Sequence, residues 1–207
     1  MAALELEPVP AASQEEKRRQ ILDAAVRAFA RKGYHACRVG EIAEEAGVAY
    51  GLVYHYFGSK EELLETIFRE TWTQMLSRVQ EVREEGGPAS EQVRKVTALL
   101  LRTWRRDPDL VRVLVHEVTR SPEQLPRQID EISLAYEALE GIIAHGQETG
   151  EFRDDFDAQL AATIFYGALE EVLTGWVMGQ LPDGDEDIAR AEQVVTGLIC
   201  DGLLNRS

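Results

Sequence analysis

Apolar residues recur at Ile21, Leu22, Ala25, Val26 and Phe29, and this three/four spacing predicts a helix near 14–32. Ser13 stands where a cap belongs, and Gly33 where a helix stops. A short helix is expected from Val39 to Ala46 with Ile42 and Ala43 facing inward, then a turn at Gly47-Val48 and a second short helix from Ala49 to Tyr56. Gly58-Ser59 breaks the chain again. Ser59 with Glu62 makes an S-x-x-E capping box, which opens a long helix reaching about Glu85. After Gly86-Gly87-Pro88 and the cap Ser90, the positions Val93, Val96, Leu99, Leu100 and Thr103 keep the helical spacing as far as Asp107-Pro108. Further helices read as about 109–120, 124–148, 157–180 and 186–205. No stretch alternates in polarity like a strand, so the chain reads as all-α with about nine helices. Residues 1–12 are expected to be a flexible tail, 13–58 a first domain and 59–207 a second.

The chain has 207 residues, 44% apolar and 29% charged, enough for a substantial core. It holds no apolar run near the ~20 residues a membrane span needs and no secretory start, so it is expected to be soluble, cytoplasmic and without a membrane partner. Cys37 and Cys200 are its only cysteines and share no metal-ligand spacing with histidine, so neither a metal nor a cofactor is expected. The net charge of −15 alone would argue against nucleic acid. Its distribution changes that picture. Residues 14–60 carry a net +2, with Lys17, Arg18, Arg19, Arg27, Arg31, Lys32, Arg38 and Lys60 as the cations, while 61–207 are strongly acidic. Two parts with different partners are implied.

The helix–glycine turn–helix at 39–56 has the spacing of a helix-turn-helix, whose second helix enters the DNA major groove. With Val48 and Val53 facing the core, Tyr50, Gly51, Tyr54 and His55 project outward. Tyrosine hydroxyls bond phosphate oxygens, Ala49 and Gly51 permit close backbone approach, and Lys60 places a cation at a helix start. Phe57 is expected in the core; for Tyr54, core and surface remain equally open.

The stretch RRQILDAAVRAFARKGYHACRVGEIAEEAGVAYGLVYHYFGSKEELL, with I-A-E-E-A-G-V, Y-H-Y-F and S-K-E-E-L, resembles the N-terminal domain of TetR-family transcriptional regulators. The resemblance implies a homodimeric repressor, one helix-turn-helix per subunit, and a helical ligand-binding domain behind it. It also implies that Ala49, Tyr50, Gly51 and His55 lie on the recognition helix, with Tyr54 and Tyr56 near it and Lys60 on a phosphate. Two positions depart from the family pattern: Arg38 replaces a small hydroxyl residue, and Leu52 stands where threonine is common. Arg38 has the reach for a phosphate or a base edge; Leu52 has no donor.

In the acidic part, residues 94–127 hold Arg94, Lys95, Arg102, Arg105, Arg106, Arg112, Arg120 and Arg127 against four acids, a local excess suited to an amphiphilic anion. The stretch from about 125 to 178, with its G-x-x-x-G-E-F-R-x-D-x-D, is similar to the ligand domain of the fatty-acid-degradation branch of the same family. That similarity implies a long-chain acyl-coenzyme A effector that releases the protein from palindromic operator DNA. It implies Arg120 and Arg127 at the nucleotide phosphates, and Trp104, Leu114, Phe165 and Tyr166 in an acyl tunnel. Leu160, Ile164, Gly167, Ala168, Glu171, Gly175 and Trp176 form one stripe, and Ile188, Ala191, Val195 and Leu198 another, which together read as a four-helix dimer interface. Phe68, Trp72 and Met75 of the long helix are expected against the ligand pocket. A multidrug-type repressor taking cationic compounds is the alternative. An all-helical enzyme is the rival from another class; against it, there is no G-x-S-x-G, P-loop or H-E-x-x-H, and His116 and His145 lack metal-like neighbours.

Overall fold

A computed structural model describes residues 11–118 and 129–204, and all its regular elements are helical. They are α1 (Ala11–Lys32), α2 (Val39–Ala46), α3 (Tyr50–Phe57), α4 (Lys60–Glu85), α5 (Ala89–Arg106), α6 (Pro108–Val113), α7 (Ile129–Glu148), α8 (Ala158–Val177) and α9 (Asp185–Leu203). Among the described residues the one β pairing is an isolated bridge between Phe152 and Leu204. The expected helix over 109–120 differs in kind: α6 is followed by a π-helical turn, Leu114–Val118. Asp107 caps α6 by accepting from the Leu110 N–H at 2.9 Å, and Pro108 takes the first turn, where its missing N–H costs nothing. Most of the expected tail, and both Arg120 and Arg127, lie outside the described residues.

The chain divides into two compact units, the first ending at Ile67 and the second beginning at Phe68, within α4. In the first unit α1 packs on α2 and α2 on α3. Ile21, Phe29, Ile42, Ala46, Val53, Phe57, Leu63 and Leu64 are buried, so the apolar face of each short helix is used up inward. Ser59 starts α4 by accepting from the Glu62 N–H at 3.0 Å.

The second unit is built around Val93, Val96, Leu101, Leu139, Ile142, Ile143, Phe152, Phe165 and Leu169, drawn from α5, α7, α8 and the loop after α7. Glu151 of that loop caps α5: its carboxylate accepts from the N–H groups of Ala89 and Ser90 and from the Ser90 hydroxyl. The motif around Gly150 is thereby a structural clasp. Gly146 belongs to it, because a Cβ there would meet the Phe152 ring and Ala89.

Candidate functional site

Gly47 lets α2 and α3 meet. Its φ of +64° is a left-handed conformation that a side chain resists, and its N–H bonds back onto the last turn of α2. The Gln20 amide adds a bond to the Ala46 carbonyl at 2.8 Å, so α1 holds the same turn from outside. With Val53 and Phe57 buried, α3 presents Tyr50, Gly51, Tyr54 and His55 to solvent, with Ala49 exposed just before it and Tyr56 half-buried. Tyr54 is a surface residue, 41% exposed beside Tyr50 at 56%. One helical turn apart, their hydroxyls lie 3.1 Å from each other. The bond from Tyr50, then burial, hold the Tyr54 phenol above its ordinary pKa, so it stays a neutral donor and acceptor.

Arg38 precedes α2 and is exposed. Its side chain has no acceptor and takes no part in the cap. Glu41 caps instead, accepting from the Arg38 N–H at 2.9 Å. Four other cations of the unit are tied internally: Arg27 and Arg31 hold Glu45 at 3.0 and 2.7 Å, Lys32 pairs with Glu41, and Arg18 stands over the Phe57 ring at 5.6 Å. These pairs neutralise the carboxylates that would otherwise repel a polyanion. Lys60 does more than its sequence position suggests. Its ammonium donates to the carbonyls of Tyr34 and Cys37 at 2.8 and 2.9 Å and sits 4.3 Å from the Tyr34 ring centre. Those partners are 26 and 23 positions away, so no local pattern announces them. Cys37 is buried, and burial, then Glu41, push its thiol up; it is a packing residue.

The second unit contains a cavity of about 690 Å³, within the range of small-molecule sites. Phe68, Trp72 and Met75 of α4 line it, with Leu99 and Leu100 of α5, Leu110, Leu114 and Val115, and Tyr166, Leu169 and Leu173 of α8. Leu114 and Tyr166 are thus on its wall. Trp104 and Phe165 are not: Phe165 is fully buried in the core, and Trp104 stacks on Trp176 at 6.3 Å while its Nε1 donates to Asp183. Neither residue stands on the cavity wall, in contrast to the tunnel expectation. The cationic group over 94–112 is largely paired on the surface. Arg94 meets Glu91, Lys95 meets Glu85, Arg102 meets Glu192, Arg105 meets Asp185 and Arg112 meets Asp109. Arg106 lines the cavity and makes no ion pair among the described residues.

On α8, Leu160 and Ile164 are 59% and 58% exposed, with Gly167 and Glu171 also outward and Ala168 half-buried. On α9, Leu198 is 73% exposed and Val194 accompanies it. This apolar seam departs from the sequence reading at one end of each helix. Gly175 is covered by Leu181, Trp176 donates to the Pro182 carbonyl at 3.0 Å, and Ile188 and Val195 are core residues with Ala191 packed against them. All five are buried or half-buried within the second unit, and α9, which carries three of them, packs on α5. Val194 is an exposed apolar residue that the sequence reading does not single out.

Among the described residues no helix is long and apolar enough to cross a membrane. Residues 21–67 match the sequence family described as bacterial regulatory proteins, tetR family, and residues 68–202 match the C-terminal region of YsiA-like proteins. The chain is 34% identical over 188 residues to a fatty acid metabolism regulator protein of Bacillus subtilis, covering 90% of this chain and 95% of that one. It superposes with a TM-score of 0.80 and 32% identity on the transcriptional regulator FadR of Bacillus subtilis in complex with stearoyl-CoA, over 89% of this chain and 98% of that one. The fatty acid degradation regulator FadR of Bacillus halodurans gives 0.82 and 31%, over 92% and 97%.

Proposed function

Because this chain belongs to the tetR family of bacterial regulatory proteins, with a YsiA-like C-terminal region, we propose that it is a homodimeric repressor of fatty-acid degradation genes released from its operator by long-chain acyl-coenzyme A. The family is one of DNA-binding transcriptional regulators, not of enzymes. The observation that carries the DNA-binding half is the outward face of α3, where two tyrosines and a histidine stand around Gly51 while the apolar side of the helix is buried. In this reading α3 enters the major groove, Tyr50 and Tyr54 bond phosphates, and Arg38 reaches the backbone or a base edge. Lys60 adds its charge while holding the turn before α2.

The apolar seam on α8 and α9 pairs two subunits about a two-fold axis, and a palindromic operator mirrors that symmetry. Two α3 helices bind together when they are spaced to meet successive major grooves, about 34–36 Å apart. An acyl chain in the second unit's cavity favours another spacing and so withdraws the protein from DNA. α4 is the carrier, since it holds Lys60 at one end and the cavity residues Phe68, Trp72 and Met75 further along. Supporting the effector class are the cavity's apolar lining, Arg106 at its wall, and the stearoyl-CoA bound by the Bacillus subtilis relative.

The test is the affinity for an operator duplex selected by the protein from random sequence, with and without palmitoyl-coenzyme A. A coupling of about 1–3 kcal/mol weakens binding some 5- to 150-fold. An unchanged affinity removes the fatty-acid reading and leaves the repressor. One feature favours the alternative of a cationic effector: Glu170 lines the cavity next to Tyr166.

A further inference from the structure

Three acids line the cavity, and two of them are answered. Glu81 pairs with Arg78 at 3.0 Å, and Asp107 accepts from the Leu110 N–H. Glu170 has no ion pair and no hydrogen-bond donor among the described residues. It is half-buried one turn after Tyr166, whose ring packs against Tyr136 at 5.0 Å and Trp72 at 6.2 Å.

The elements around α8 offer this carboxylate little compensation. α7 brings the Tyr136 phenol. α4 brings Arg78, already held by Glu81. From α5 and α6 come Arg106 and Arg112, the latter engaged by Asp109 and by the Trp104 ring at 5.1 Å. The π-helical turn contributes Leu114 and Val115 to the wall, with His116 exposed; α9 sends Ile188 and Val195 into the core. On α8 itself Glu171 adds a like charge. Burial first, then Glu171, hold the Glu170 carboxyl above its ordinary value of 4.5 even before any ligand arrives.

An apolar chain filling the cavity takes solvent away from this carboxylate and supplies no dipole in its place. A buried charge without a partner costs more than the neutral acid, so the group takes up a proton instead. We propose that entry of an acyl chain into the cavity is coupled to uptake of one proton at Glu170, which makes this residue a determinant of effector affinity. The inference rests on the acyl-effector reading above. The proton comes from solvent and ends on a carboxylate oxygen; nothing else changes hands. The carboxyl value is higher with ligand than without, so affinity is greatest below the ligand-free value. It falls by up to about tenfold per pH unit between the two values, and levels off above the ligand-bound one.

The experiment is calorimetric titration of palmitoyl-coenzyme A at several pH values from 6 to 8.5, in pairs of buffers of different ionisation heat, for wild type, Glu170→Gln and Glu170→Asp. Phosphates of the ligand titrate too, so the readout is the difference between wild type and Glu170→Gln. The expected result is up to one more proton taken up by wild type, a dissociation constant that rises with pH relative to the glutamine variant, and retention of both effects in Glu170→Asp. Equal proton uptake in wild type and Glu170→Gln overturns the inference while leaving the effector in place. Proton release also overturns it, and makes the acid a counter-ion for a cation. Failure of wild type to bind the ligand at any pH removes the acyl-effector reading itself. Should the glutamine variant not fold, the ¹³C carboxyl shift of Glu170 in wild type decides: its titration midpoint rises on adding ligand, or the inference fails.

Discussion

The Lys60 ammonium donates to the Cys37 carbonyl at 2.9 Å, and Cys37 is the last residue before the cap of α2. With its second bond to Tyr34, this one side chain closes the turn between α1 and α2 from the first residue of α4. Two of its three N–H groups are thereby committed inside the subunit. Lys60→Met leaves both carbonyls without this donor and is expected to destabilise the first unit by about 1–3 kcal/mol in the absence of DNA. Urea unfolding followed by circular dichroism checks it. A variant that weakens DNA binding yet unfolds at the wild-type midpoint would reduce Lys60 to a surface charge.

Arg38 separates from the cap in a way that can be measured. Glu41 caps α2 through the Arg38 backbone N–H, which alanine retains. Arg38→Ala is therefore expected to keep wild-type stability while lowering the dependence of operator affinity on salt by about one unit of slope, if the guanidinium meets a phosphate. Titrations at several salt concentrations give the slope directly.

The two sides of α9 predict opposite phenotypes. Leu198 is exposed, so Leu198→Glu, like Ile164→Glu on α8, is expected to yield folded monomers by analytical ultracentrifugation. Ile188 lies in the core, and Ile188→Ala is expected to cost about 2–5 kcal/mol of stability without changing subunit number at concentrations where the protein stays folded. A monomeric, fully stable Ile188→Ala would show the helix is turned the other way.

Acid should loosen the protein in a defined window. Hydrogen bonds from Arg31, then Arg27, hold Glu45 below its ordinary 4.5. Burial pushes Glu151 up, but the Ser90 hydroxyl and the N–H groups of Ser90 and Ala89 outweigh it and leave that carboxyl lowered too. A carboxyl whose folded value is lowered stabilises the fold above the unfolded value and loses that contribution as pH falls through the folded one, because the unfolded chain binds the proton first. Thermal melting is thus expected to drop progressively as pH falls below about 4.5. Glu151→Ala, which also removes the cap of α5, is expected to cost about 0.5–2 kcal/mol at pH 7 and to flatten the acid limb.

How far the sequence reaches depends on whether the deciding partner is local. Helices α2 and α3 are legible because Ile42, Ala43, Ala46, Val53 and Phe57 repeat at helical spacing around one left-handed glycine, and because tyrosines at Tyr50 and Tyr54 have no apolar reason to be adjacent. Trp104 and Phe165 show the limit. Both are large and apolar on helices that also line the cavity, yet periodicity says only that a residue faces inward, not whether it faces the cavity or the packed core beside it. The same ambiguity moved Ile188 and Val195 into the core and left Val194 and Leu198 outside, since α9 carries apolar residues on two faces and only its packing against α5 selects between them. Glu170, and the internal bonds of Lys60, are not legible for a related reason: a charge on a helix reads as a solvated face, or at a helix start as a surface cation, until the fold buries it or brings it two carbonyls.

The central claim is that the exposed face of α3 reads DNA, and the most direct measurement is binding of wild type and Tyr50→Ala to the same self-selected operator duplex by fluorescence anisotropy, alongside their unfolding midpoints. Tyr50 is largely exposed, so the variant should unfold like wild type while binding the operator about tenfold or more weakly, in keeping with the loss of a hydrogen bond to a charged group. Equal operator affinity in the two proteins would contradict the assignment of this face to DNA.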